Sequence, residues 1–225
     1  DQMAALTTAQ VAALTTSQVV GLGSDDLNAL STTQFAAMTT AQVSALTTTQ
    51  LSTLVSDDLR ALTTAQYAAL SSVQIAGLTT DHVTQLESTD LRALTTSTLR
   101  GLSSDQLDAL NSDQMAQLTT AQVAALTTTQ VAGLGSDDLN ALSTTQFAAM
   151  TSAQAAVLTT DQIPNLQTAD LANLSSAALR AWTTTQFDAL NSVQMAALTT
   201  AQVAALTTSQ VVGLGSDDLN ALSTT

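Results

Sequence analysis

From Leu6 to Ala221 the chain divides into 27 consecutive octads without an insertion or deletion, beginning LTTAQVAA, LTTSQVVG, LGSDDLNA, LSTTQFAA. A short period kept this strictly marks a repeat architecture, in which each unit packs on copies of itself. Position 1 is Leu except at Met38, Met150 and Trp182, and position 3 is always Ser or Thr. Position 5 is Gln or Asp except at His82, Thr98 and Ala178; position 6 is always apolar; position 8 is mostly Ala or Gly. Met3–Thr33 recurs identically as Met195–Thr225, a shift of 192 residues, and a close copy begins at Met115. Residues 1–225 therefore read as one continuous array. Its start at Asp1, in mid-repeat, reads as an excerpt from a longer protein.

Each octad reads as a short helix rather than a strand. Strand alternation breaks at every junction between positions 8 and 1, whereas positions 6 and the following 1 are i and i+3 and share a helix face. In L-T-T-x-Q-V, the position-2 Thr is placed to be the N-cap and the position-5 Gln its capping-box partner. The apolar residues at positions 1 and 6 then form the hydrophobic staple. Six octads carry Asp at position 5 (Asp26, Asp58, Asp90, Asp138, Asp170, Asp218), and none has a capping residue of the Ser, Thr or Asn type at position 2. The shorter Asp suggests that the cap there moves to the Ser or Thr of position 3. Most acidic residues lie at positions 4 and 5, in the first turn, and all four arginines lie at position 7, near the helix end. The helix dipole favours both placements.

A helix of about six residues is unstable alone, so neighbouring units must share their apolar faces. The fold class expected is all-α: an α-solenoid of very short capped helices, one per eight residues. The copy shifts and the 32- or 48-residue spacing of the Asp octads are multiples of 16, which favours two helices per layer. Four octads per turn is the rival.

Composition narrows the function. The formal net charge is −14 with no lysine, which excludes nucleic-acid binding as a main activity because phosphates need a basic face. It also disfavours docking on anionic lipid. There is no cysteine, and no apolar run approaches the roughly 18 residues that span a bilayer, so no membrane insertion is expected. Near-identical tandem units do not suit an active site, which needs unlike residues converging at one place. No G-x-S-x-G, Gly-rich phosphate loop or H-E-x-x-H occurs, and neither an enzyme nor a cofactor is expected.

The only metal candidates are the acidic pairs Asp25–Asp26, Asp57–Asp58, Asp137–Asp138 and Asp217–Asp218. They lack the alternating acids, Gly and distal Glu of a calcium loop and are read first as dipole partners. His82 stands in the Gln position with no second ligand at useful spacing. Trp182 reads as core filler, and Pro164 at position 7 should make its octad irregular. Rows of Thr raise ice binding, but capping already employs their hydroxyls.

The L-T-T-x-Q-V-x-A-L units, as in Leu118–Leu126, resemble the Thr/Ala/Gln/Leu arrays of large bacterial surface or secreted proteins of the adhesin-like or haemolysin-type repeat kind. The resemblance covers the whole chain and implies an extracellular or cell-surface bacterial setting. The calcium-binding glycine nonapeptides of such proteins do not occur here. Leu6–Gln10 also resembles the L-T-x-x-Q motif of periplasmic stress chaperones, over five residues only. The expected role is structural: a rod or filament shaft whose partner is itself, end to end or laterally, or flanking repeats. The alternative is a binding scaffold with its ligand on the variable positions 4 and 7. A peptide of one or two octads should lose the helical circular-dichroism signal that the full chain shows.

Overall fold

The computed structural model describes residues 2–222. Among them are 26 α-helices and one 3-10 turn, with no strand. Every α-helix begins at position 3 of its octad, so the N-cap is always position 2, and the α-helices run from four to seven residues. None is long and apolar enough to cross a membrane.

The cap does not move in the Asp octads. Gly23, Val55, Glu87, Gly135 and Gln167 remain N-caps at position 2, without a side-chain cap bond. Helix onset is fixed by backbone shape rather than by a cap hydroxyl. Position 1 ends one helix in extended conformation (Leu46, φ −57°, ψ 136°) and position 2 is extended again (Thr47, φ −77°, ψ 158°). Two extended residues in succession turn the chain whatever their side chains.

That corner also decides how many octads make a turn. A two-helix layer needs a chain reversal, which short connections commonly make with a left-handed residue. No described residue has positive φ. The corners here are more open, and the expected 16-residue layer does not form. The chain comprises two compact units, Asp1–Leu118 and Thr119–Thr225, each an α-solenoid in which a helix packs on the helix three octads away. In the first unit Thr8–Ala12 packs on Thr32–Ala37, and Thr16–Val20 on Thr40–Ala45. In the second, Thr120–Ala125 packs on Thr144–Ala148, and Thr128–Ala132 on Ser152–Ala156. Hydrogen bonds between turns join residues 25 to 31 apart, between the spans of three and four octads. Each octad sits across the junction of two earlier ones.

The core is thin and repetitive. Octads away from the two ends bury their position-6 and position-1 side chains, as with Leu51 (0% exposed) and Leu54 (4%), whereas Val211 and Leu219 near the end of the array are exposed. Of the few aromatics, Phe35, Tyr67, Phe147 and Phe187 take position 6 and Trp182 position 1, and all are buried. Position 8 is small because it lands on position 3 of an octad in the previous turn. A Cβ on Gly77 would lie 2.8 Å from the Thr48 Cβ, and one on Gly101 would overlap the Ser72 backbone. At one position 8 with a larger residue the contact is polar instead: the Thr53 hydroxyl donates to Ser24 Oγ at 2.8 Å.

Pro164 breaks its helix as expected. Its octad holds only the 3-10 turn Ile163–Asn165, with Ile163 still fully buried. The rest of the octad keeps its contacts, since Pro removes a donor only from the last turn.

Replacing Gly101 with Ala should destabilise the chain by about 1–3 kcal/mol, the range for overpacking a tight contact. Chemical denaturation checks it, with Ala109→Gly as the comparison at a position 8 that already tolerates a Cβ.

Candidate functional site

The residue that organises the structure is the glutamine of position 5. Its helix N-terminus leaves backbone N–H groups without partners, and the expected capping box meets them. The Thr7 N–H donates to Gln10 Oε1 at 2.7 Å, and the Gln10 N–H donates to Thr7 Oγ1 at 3.2 Å. The same reciprocal pair forms from Thr15–Gln18 to Thr207–Gln210 in most octads.

The other half of the amide was not legible beforehand. Position 5 points inward, and Gln42 (1% exposed), Gln74 (5%) and Gln154 (2%) are buried. Gln42 Nε2 donates to the carbonyls of Val11 at 2.8 Å and Leu14 at 2.7 Å. Gln74 Nε2 donates to Val43 and Leu46, both at 2.9 Å. In the second unit Gln154 reaches Val123 and Leu126, and Gln194 reaches Ile163 and Leu166. The acceptors are as a rule position 6 of one octad and position 1 of the next, where a helix has ended and its last carbonyls lack intrahelical donors; Gln186 instead takes Ala156 and Leu158, the Ala155 carbonyl being held by the Trp182 indole. One side chain thus caps the start of its own helix and the end of another. Even the Pro164 octad keeps this clamp, through Gln162 to Val131 and Leu134.

Of the three exceptions at position 5, His82 and Thr98 imitate the amide, while Ala178 is buried and brings no side-chain donor. His82 is 6% exposed; its Nδ1 faces the Thr79 N–H at 3.4 Å and its Nε2 faces the Leu54 carbonyl at 2.9 Å. Acceptance at Nδ1 and donation at Nε2 assign the Nε2–H tautomer. Thr98 donates its hydroxyl to the Leu70 carbonyl at 2.8 Å. Trp182 is buried in the core, edge-on to Phe187 with ring centroids 5.6 Å apart, and its indole N–H donates to the Ala155 carbonyl at 2.9 Å.

The Asp octads do not imitate it. Where Gly occupies position 2, the carboxylate reaches the position-2 N–H: Gly23 to Asp26 at 3.4 Å, Gly135 to Asp138 at 3.2 Å, Gly215 to Asp218 at 3.1 Å. In two others an earlier asparagine serves that N–H. The Val55 N–H donates to Asn28 Oδ1 at 3.2 Å, while Asn28 Nδ2 donates to the Thr53 carbonyl at 2.9 Å. Asn140 repeats this with Gln167 and Asn165. The 27-residue step from position 7 of one Asp octad to position 2 of the next gives their 32-residue spacing a physical reason.

Asp58, Asp90 and Asp170 are buried (4%, 5% and 3% exposed), and Asp58 Oδ2 has no partner. Burial pushes each up to about 6 from an ordinary 3.8; the Asp57 charge adds to the effect at Asp58. At Asp90 the Glu87 charge adds and a hydrogen bond from the Glu87 backbone opposes. Burial also raises the Tyr67 phenol, which donates to the Leu59 carbonyl at 2.8 Å.

The acidic pairs do not converge on a common point. Asp57 is exposed while Asp58 is buried, and Asp137 is exposed while Asp138 is buried. Asp25 and Asp26 are both exposed, and of Asp217 and Asp218 the second is partly covered. Among the described residues no group of three or more His, Asp or Glu is placed to hold a metal. A shallow groove in the first unit is lined by Thr32, Asp57, Arg60, Ala61 and Glu87. Arg60 lies 3.9 Å from Asp57 and 4.0 Å from Glu87, an exposed arrangement worth little stability.

A family model for the ALTTAQ repeat matches the chain six times in tandem, at residues 19–56, 53–86, 83–120, 131–168, 163–200 and 194–224. The chain belongs to the ALTTAQ repeat family. The word itself stands at Ala5–Gln10, Ala61–Gln66 and Ala197–Gln202, spanning the corner, the N-cap and the clamp glutamine. Each match is longer than one octad, and the step from 131 to 163 is four octads, the spacing of neighbouring Asp octads. No curated protein matches the chain.

Gln74→Glu keeps an acceptor for the Ser71 N–H but at neutral pH has no donor for Val43 and Leu46. It should cost about 1–3 kcal/mol, the range for stranding buried polar groups. Gln10→Glu, at an exposed residue that makes only the box, should cost clearly less in the same urea titration.

Proposed function

We propose that this ALTTAQ array is a structural segment, the shaft of a rod or filament of a bacterial extracellular or surface protein, and that it is not an enzyme. The observation that carries the reading is the use of the position-5 side chain. The buried polar group that an enzyme would spend on a substrate is spent here, octad after octad, on the carbonyls of the previous turn. The exposed positions 3, 4 and 7 hold mostly Ser, Thr, Ala and Asp, short side chains poor in the Tyr, Trp and Arg that anchor binding surfaces. This composition favours a shaft over a ligand-presenting scaffold. The likeness of the L-T-T-x-Q-V-x-A-L units to bacterial surface arrays supports the extracellular setting.

Copies of the chain are the partner this reading names, joined end to end or side by side. Imaging of the purified chain over a range of concentrations should show thin fibres of uniform width. Dispersed monomers at every concentration would remove self-assembly from the proposal, and a specific, saturable partner recovered by pull-down would replace the shaft with the scaffold.

A further inference from the structure

The clamp has a defined set of vacancies. Gln42, Gln74, Gln154, Gln194 and their equivalents each fill the carbonyl of the position-1 residue 28 before them. Opposite Asp58, Asp90 and Asp170 the corresponding carbonyls are those of Leu30, Leu62 and Leu142. Among the described residues these three oxygens receive no hydrogen bond. An ionised carboxylate has no proton to give them. The side chains are nevertheless held in the glutamine's inward position, nine-tenths or more buried, and Asp58 Oδ2 is itself without a partner. A carboxylic acid would meet both needs at once, with the O–H donating to the carbonyl and satisfying the stranded oxygen.

We infer that Asp58, Asp90 and Asp170 form a set of acid-strengthened clamps: protonation of each carboxyl supplies the missing donor to Leu30, Leu62 or Leu142, so that the array tightens in acid and loosens locally as the carboxyls ionise. The charged surroundings point the same way. The helix Ser56–Arg60 carries Asp57 and Arg60 beside Asp58; Ser24–Asn28 brings Asp25 and Asp26, and Thr32–Ala37 brings no charge, while the following turn brings Asp81 and His82 on Thr80–Thr84 and Glu87, Asp90 and Arg92 at Ser88–Ala93, Glu87 lying 4.0 Å from Arg60. Around Asp90 stand Glu87 and Arg92, then Asp57, Asp58 and Arg60 of the earlier Asp octad, the neutral Tyr67, and Asp113 on Ser112–Gln117. Asp170 is the sole charge on its helix; Ser136–Ala141 carries Asp137 and Asp138, and Thr144–Ala148 and Ser192–Ala196 carry none. Asp57 opposes ionisation at Asp58 and Glu87 at Asp90, together with burial; at Asp170 burial acts alone.

The sign of the pH dependence follows. Each carboxyl binds its proton more tightly when folded, about 6 against 3.8, so folded chains hold protons that unfolded chains have released. The contribution is complete below about pH 4, is lost as pH rises toward 6, and stays lost above it.

The test uses the full chain, labelled with carbon-13. On titration the side-chain carboxyls of Asp58, Asp90 and Asp170 should show midpoints near 6, and the backbone carbonyls of Leu30, Leu62 and Leu142 should shift with the same midpoints. Carbonyl resonances that do not follow the carboxyls, or carboxyl midpoints near 4, overturn the inference. Melting temperatures give the second readout. The wild type should gain stability from pH 7 to pH 4.5, and Asp58→Gln/Asp90→Gln/Asp170→Gln, which carries a permanent donor, should lose most of that gain. A charge-matched control, Asp105→Asn/Asp161→Asn/Asp188→Asn at exposed residues, should keep it. An equal gain in the wild type and the Gln variant overturns the inference.

Discussion

A primary amide has an acceptor and a donor set pointing opposite ways, and the ALTTAQ fold rests on using both ends of one side chain. The oxygen of Gln42 takes the Thr39 N–H at 2.7 Å while its nitrogen serves Val11 and Leu14 in the previous turn. Local and long-range order are thereby coupled. A helix of five or six residues is marginal alone, and in most octads the glutamine that caps its start is itself held by the carbonyls of an earlier turn. The burial of Leu and Val-sized groups at positions 1 and 6 supplies the general driving force, and the amide sets which turn lies on which. A buried amide with every partner filled stabilises register, whereas a half-filled one destabilises it.

The substitutions show that the constraint is the row of carbonyls rather than glutamine as such. Leu54 is served by an imidazole, Leu70 by a threonine hydroxyl, Leu59 by a phenol and Ala155 by an indole. These side chains differ in size and come from positions 1, 5 and 6, yet each brings a donor to the same kind of helix end. Buried backbone acceptors need donors, and the chain has met the need with whatever residue the octad offered. Asp58, Asp90 and Asp170 stand out against this because they occupy the place without the proton.

Much of the helix was legible in the sequence, because its causes lie within one octad. The i to i+3 capping box, the staple positions and the break at Pro164 are all local, and the helices begin where the L-T-T-x-Q word places them. Two expectations failed for reasons the word does not contain. The cap was expected to move in the Asp octads; Gly23 and Val55 keep it because two extended residues fix the corner without help from a hydroxyl. The layer was expected to close in 16 residues, but near-identical units cannot say which copy lies above which. That choice depends on the angle of the corner and on the reach of an amide to a residue 28 positions away. The role of Asn28 and Asn140 was hidden for the same reason, since their partners lie 25 and 27 residues on. The 32-residue recurrence of Asp octads lies close to the span of one turn and is the trace of it that the sequence carries.

The 28-residue reach of the clamp has a consequence for how such a chain can change its length. Deleting a single residue would strand every amide whose span crosses the gap, because donor and acceptor would no longer meet on the same face. Removing or copying a whole octad merely hands each glutamine an equivalent carbonyl from the next unit along. Growth and shrinkage are thus tolerated only in steps of eight, and least well where a step would part an Asp octad from the asparagine that serves it, as Asn28 serves Val55.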